Sequence, residues 1–287
     1  MKNKFYIKTI LLILLFIAVP PYSETLPIAV VVQMKGKVFI LREKKEFKAE
    51  KHMPLYLNDK IKTLNSSYVE ILFDCGVTLR VEENTLFEIK NFIVEFSETP
   101  KKSVSILLKV NTGAVLTNTD VNKDKYRLNS LHIITPTTVA SVRGTVFYVK
   151  VGDDNTTDIA VFQGKVECNL GSFEEEELDT LFEEEIQQEM RKKIIIEENK
   201  QTTISSDLSS IAVVDLSFNI MEYKRTVVKN FLNNSENYRK NFEKFEKERN
   251  EWIKKHRDEF KRDTEKRKKE FMKEFGIEEE QLKKKRR

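Results

Sequence analysis

The residues best equipped for chemistry are few and scattered. The 287 residues hold two cysteines, Cys75 and Cys168, and three histidines, His52, His132 and His256. No two histidines stand at the short spacing that a metal site needs, so no metal is expected. Asp74, Glu82, Glu83 and Asp158 are carboxylates in strand-like and turn-like stretches. No Ser-His-Asp, Cys-His or paired-carboxylate pattern surrounds them, so no catalytic residue is assigned and no enzyme or cofactor is expected. The acidic run from Glu174 to Glu189 lacks the D-x-D-x-D-G turn of a calcium loop. It reads as a solvated surface segment. Lys266–Lys269 and Lys283–Arg287 are basic clusters with aromatic residues nearby. Phosphate attraction needs only positive charge, so this signal is unspecific.

The amino terminus supplies an address. Lys2, Lys4 and Lys8 precede the apolar run Ile10–Val19, and Pro20-Pro21 ends any helix there. The run fits a signal peptide better than a bilayer span. Residues 1–23 are therefore expected to direct export to the periplasm or cell envelope, either cleaved near Ser23 or retained as an anchor. Export makes a disulfide between Cys75 and Cys168 chemically possible, with two buried thiols as the alternative. It also removes nucleic acid from the expected partners.

Three compositional blocks position these residues. From Leu26 the chain is rich in Val, Ile, Thr and Phe with turn signals at short intervals, which predicts an all-β domain of many short strands. Val77, Leu79 and Val81 alternate with Thr78, Arg80 and Glu82, so one face is expected in the core and the other wet. Ile133–Val149 and Asp158–Cys168 flank Gly152-Asp153-Asp154-Asn155, a hairpin signature. An acidic insertion at about 173–190 interrupts the block. Strand-like Lys193–Glu197 and Gln201–Ser205 follow, and the domain is expected to close near Val214. Residues 217–287 have one Gly, no Pro and dense charge, with basic residues outnumbering acidic ones 23 to 15 from Glu222 onward. Tyr238, Phe242, Phe245, Arg249, Trp252, His256 and Phe260 recur at steps of three and four, which predicts a long, mostly separate amphipathic or coiled-coil-like helix. Its stripe needs a cover: the β-domain, a second copy, or an anionic membrane surface.

The strand motifs resemble those of the FecR family, bacterial cell-envelope proteins named for a regulator of iron uptake. The resemblance spans about Val30–Ser205. It rests on Gly36-Lys37-Val38, on Leu55–Thr63 with Asn58 where glycine is usual, on Ser67–Leu72 with Asp74, Gly76 and Leu79-Arg80-Val81, and on Asn199-Lys200-Gln201. The most specific part is Thr135-Pro136, Val142-Arg143-Gly144-Thr145, Phe147 and Val149, completed by Val161, Gly164 and Val166. The resemblance implies a single FecR-like β-domain, solenoid- or sandwich-like, whose motif residues Thr135, Pro136, Arg143, Gly144, Thr145, Phe147 and Gly164 serve structure or a partner. Pro136 suits a strand entrance. Gly144 suggests a bulge or close approach within a strand. Arg143 reads as a staple inside the domain, with a partner contact as the alternative. Phe147 and Val149 share one face of a strand, with Val142, Val146 and Tyr148 on the other. Both faces are apolar, so the strand is expected to be central.

Signalling members of the family carry a cytoplasmic anti-sigma segment and a membrane span ahead of the β-domain, whereas a signal-like segment directly precedes the β-block here. The expectation is thus a mainly β protein with a charged helical C-terminal tail: a non-enzymatic envelope binding or scaffold module that contacts an unidentified protein partner. A periplasmic sensor that works through a separate membrane partner is the alternative.

Overall fold

The computed structural model describes residues 26–95, 100–171, 192–208 and 211–256. The signal segment, the whole acidic insertion and the tail beyond His256 lie outside them. Among the described residues seventeen strands follow one another: β1 (Ala29–Lys35), β2 (Val38–Arg42), β3 (Lys45–Lys48), β4 (Pro54–Leu55), β5 (Lys60–Thr63), β6 (Tyr68–Phe73), β7 (Thr78–Val81), β8 (Leu86–Glu95) and β9 (Lys102–Asn118) come first. Then come β10 (Tyr126–Ile134), β11 (Thr138–Val142), β12 (Val146–Val151), β13 (Thr157–Gln163), β14 (Lys165–Leu170), β15 (Lys193–Glu197), β16 (Lys200–Ile204) and β17 (Val214–Asp215).

Pairing sorts them into two layers joined through β9. One layer runs β4-β1-β6-β7-β9-β12-β13-β16-β17. The other runs β3-β2-β5-β8-β9-β10-β11-β14-β15. Every pair is antiparallel except β9 with β10. The first part of β9 pairs with β8 and β10, and the part from Gly113 onward pairs with β7 and β12. The core lies between the layers, where alternate side chains of facing strands meet: Ile71, Phe73, Leu79, Phe147 and Val149 from the first layer, and Ile40, Ile61, Phe87, Ile106 and Ile133 from the second. This is the sandwich form of the β-domain, and period-two burial follows from the strand geometry.

Corners carry the chain between layers, and small or hydroxyl residues build them. Gly36 (φ 78°) turns β1 into β2, against the Ser67 hydroxyl that accepts from the Lys37 backbone N–H at 2.8 Å. Gly113 (φ 84°) turns β9 against Thr85. Asn58 adopts φ 65°, the left-handed conformation for which it substitutes for glycine.

The carboxy-terminal segment is helical: α1 (Phe218–Tyr223), a π-helical turn (Lys224–Val228), α2 (Lys229–Lys240), and α3 at residues 242–256 after a break at Asn241. It is not separate from the β-domain. It crosses the outer face of the β1/β6/β7/β12 layer, where Val228 and Phe231 pack with Leu116, Val146, Ala160 and Phe162, while Tyr238 packs with Val30, Val32 and Leu72. The expected wet face of β7 is therefore covered: Thr78 is fully buried, and its hydroxyl pairs with that of Ser235 at 2.7 Å. The same cover explains the two-sided strand β12. Phe147 and Val149 face the sandwich core, and Val146 and Tyr148 face the helix. Val142 belongs to β11 in the other layer, not to β12.

Candidate functional site

The helix brings a hydroxyl, amide and aromatic stripe onto a charged strip of strand. Glu70 on β6 and Arg80 on β7 are directly paired neighbours, and outward-pointing side chains at such positions meet. Arg80 Nη1 lies 3.0 Å from Glu70 Oε1, and its Nε lies 2.8 Å from Glu82 Oε1. The guanidinium stacks over the Tyr68 ring at 3.7 Å, a cation–π contact. Burial alone would lower the Arg80 pKa, but Glu82 and Glu70 outweigh it and hold Arg80 more firmly cationic.

The helix completes this strip. Glu70 is only 1% exposed. Its Oε2 accepts from the Tyr238 hydroxyl at 2.6 Å and from the Asn234 amide at 3.3 Å. The Tyr223 hydroxyl donates to Glu82. Desolvation, and then the adjacent carboxylates, raise both tyrosines above the ordinary phenol range, so each stays a neutral donor. Farther along, Arg249 pairs with Asp74, and Trp252 donates to Glu50 at 3.2 Å. His52 lies 2.9 Å from Glu248 and stacks on Phe245. Burial raises Asp74 despite Arg249, and burial lowers His52 despite Glu248.

The residues singled out from sequence fall in different places. Thr135 is buried in a hydroxyl cluster at the start of β11: its Oγ1 accepts from the Thr157 hydroxyl at 2.9 Å, and Thr137 donates to Thr157 at 2.7 Å. Pro136, half-buried, occupies the turn between β10 and β11. Thr145 locks the crossing from β11 to β12, with its N–H donating to Thr119 Oγ1 at 2.6 Å and its hydroxyl to the Lys165 carbonyl at 3.0 Å. Phe147 is fully buried in the core. Gly164 (φ 80°) turns β13 into β14, and a Cβ there would meet the Gly144 carbonyl oxygen at 2.9 Å.

Gly144 and Arg143 require correction. Gly144 (φ 67°) lies in the corner between strands, not within one, and an added Cβ would have no atom within 4 Å. Its constraint is conformational, not steric. Arg143 is exposed beside it, so it is not an internal staple. The staples are Arg42 and Arg80. Arg42 grips the fully buried Asp59 through two bonds of 2.7 Å, while its Nη2 donates to the Pro54 carbonyl at 3.0 Å. Arg42 sits in a strand whose sequence gives no sign of its partner seventeen residues on. The bidentate geometry appears only when β2 pairs with β5.

Cys75 and Cys168 are free thiols, so the possible disulfide is absent from this structure. Each is buried in the core, and burial pushes each thiol up to about 12, which makes them inert. Among the described residues no group of His, Cys, Asp and Glu could hold a metal, and no helix is long and apolar enough to cross a membrane.

In comparison with known protein families, residues 59–167 match the FecR protein family. No curated protein matches. Two crystal structures of a candidate anti-sigma factor from Parabacteroides distasonis ATCC 8503 are similar in part. One is 15% identical over 57% of this chain and 63% of the other, with a TM-score of 0.39. The second is 16% identical over 54% and 59%, with a TM-score of 0.37. The chain thus spans less than two thirds of either. The matched stretch runs from Asp59, the carboxylate that Arg42 clamps, into β14, and takes in both the Thr135 cluster and the Thr145 crossing: residues 59–167 match the FecR protein family.

Proposed function

We propose that this protein is a non-enzymatic, signalling-related module of the cell envelope that binds a protein partner through its FecR-type sandwich. The observation that carries the reading is the FecR match across the centre of the sandwich. The chemistry of the ionisable groups agrees with it. Asp59, Glu70, Glu82 and Asp74 each engage an arginine of this chain, in ion pairs that hold strands or the helix in place. Within the family motif, Thr135, Thr145 and Phe147 are buried, while Arg143 is exposed. A planar, always-charged guanidinium on a surface corner suits a carboxylate-bearing partner. The signal-like sequence of residues 1–23 supports a periplasmic location.

The test is fractionation of cells expressing the full chain, with mass spectrometry of its amino terminus and site-specific photocrosslinking from the exposed Lys165 position, whose backbone meets Thr145 on the same corner. A mature end between Pro20 and Leu26, with one crosslinked envelope protein that is lost on charge reversal at Arg143, supports the reading. A cytosolic pool that retains Met1, or no crosslink from that position, overturns it.

A further inference from the structure

The contact between the helix and the β1/β6/β7/β12 layer has an unusual composition for a permanent core. Two apolar patches, around Phe231 and around Tyr238, flank a polar middle in which Glu70, Arg80 and Glu82 meet hydroxyl and amide groups of the helix. Such a mixture is characteristic of surfaces that associate and separate. Both ion pairs of the middle, Arg80 with Glu70 and Arg80 with Glu82, lie wholly within the sheet. Removing the helix therefore leaves these two pairs intact and returns them to water, which they favour; the ion pairs it breaks are those of Arg239 with Asp120 and Arg249 with Asp74, toward the far end of the helix. The helix is also articulated. A π-helical turn at Lys224–Val228 and a break at Asn241 (φ −106°, ψ 25°) divide it into pieces that can lift one at a time.

We propose that this outer face is a second partner-binding surface, apart from the Arg143 corner, that the partner presents an amphipathic helix to it, and that residues 218–256 occupy the site in cis until it displaces them. The proposal rests on reading the chain as a partner-binding module. The strip defines the partner's chemistry: apolar side chains stepping by three and four, interrupted by hydroxyl or amide donors that reach Glu70 and Glu82.

The experiment uses the full chain and, as probe, a fluorescent peptide with the sequence of Phe218–His256. Phe231→Ala, Asn234→Ala and Tyr238→Phe together weaken the internal helix without touching the sheet. This variant is expected to bind the peptide at least about tenfold tighter than wild type does, and adding Glu70→Gln on the sheet is expected to abolish the gain. Unchanged binding in a cooperatively folded triple variant overturns the proposal. A concentration-dependent dimer of that variant also overturns it, because the site would then belong to a second copy. Native-state hydrogen exchange on wild type guards against a variant that fails to fold. Helix amides that open well below the free energy of β9 amides support release, and equal protection makes the helix a permanent part of the core. No natural partner is needed, so failure here with an intact crosslink from the Lys165 position rejects this surface alone.

Discussion

Tyr238 donates its hydroxyl hydrogen to Glu70 across 2.6 Å, joining the helix to a strand 168 positions earlier. The same hydroxyl lies 2.8 Å from the Gln33 side-chain oxygen. One aromatic residue thus ties β1, β6 and the helix together. Its ring meets Phe245 edge-on, with centroids 5.5 Å apart, the favoured arrangement for such pairs.

Tyr238→Phe keeps the ring and removes the donor. Glu70, almost fully buried, then loses one of its partners while keeping Arg80. A loss of about 2 kcal/mol is expected, the range for a hydrogen bond to a charged group. Urea denaturation measures it, and an unchanged midpoint would show that water replaces the hydroxyl at no cost.

Arg42 and Arg143 provide a contrast between two arginines of one domain. Arg42→Ala strands the buried Asp59 carboxylate and is expected to cost about 3–5 kcal/mol. Arg143→Ala removes an exposed side chain and is expected to stay within about 0.5 kcal/mol of wild type. Paired thermal melts decide this, and a reversed order would mean that Arg143 holds the fold after all.

Gly113 and Gly144 both have positive φ, but only one is crowded. A Cβ on Gly113 would come within 2.4 Å of the Thr85 Cα, so Gly113→Ala adds a clash to backbone strain and is expected to cost about 3 kcal/mol or more. Gly144→Ala meets open space and is expected to cost about 1 kcal/mol, the penalty for a left-handed non-glycine residue. Equal chemical-denaturation midpoints for the two variants would refute this distinction.

His132 supplies a pH dependence. Its ring lies on β10 beside Ser141, 2.8 Å from the hydroxyl, and burial pushes its pKa down from 6.5 to about 4. The unfolded chain therefore takes up the proton first as pH falls. The stability that neutral His132 permits is complete above about pH 6.5 and is lost as pH falls from there through 4. The total is about 3 kcal/mol. His132→Gln should flatten the slope of unfolding free energy across this window. A variant as pH-sensitive as wild type would place the titration elsewhere.

Much of the sandwich is legible in the sequence because its signals are local. The alternation of Val77, Leu79 and Val81, the Gly152–Asn155 turn and Asn58 in place of glycine each need only their neighbours in the chain. Two-sided burial of the strand at Phe147 is also readable, but what covers its second face is not. That depends on Val228, Phe231 and Ser235 extending the step-of-three-and-four pattern upstream of Tyr238. Ser235 hides in that pattern because its small hydroxyl looks solvent-facing until Thr78 is brought against it. The arginine staples fail for the same reason. Arg42 and Arg80 find Asp59 and Glu70 only through strand pairing, so no linear motif announces them. Arg143 draws attention because its motif is distinctive. The structure assigns that distinctiveness to the threonines and glycines that turn the corner around it.

Strand β9 has a mechanical consequence. Its first part is hydrogen-bonded to one layer and its last residues to the other, with a single covalent backbone running through Gly113. The two layers therefore cannot slide past one another or hinge open like the covers of a book without tearing the ladder on one side of that residue. Tension applied to either layer passes directly into the other, and the sandwich should yield to pulling in one abrupt rupture.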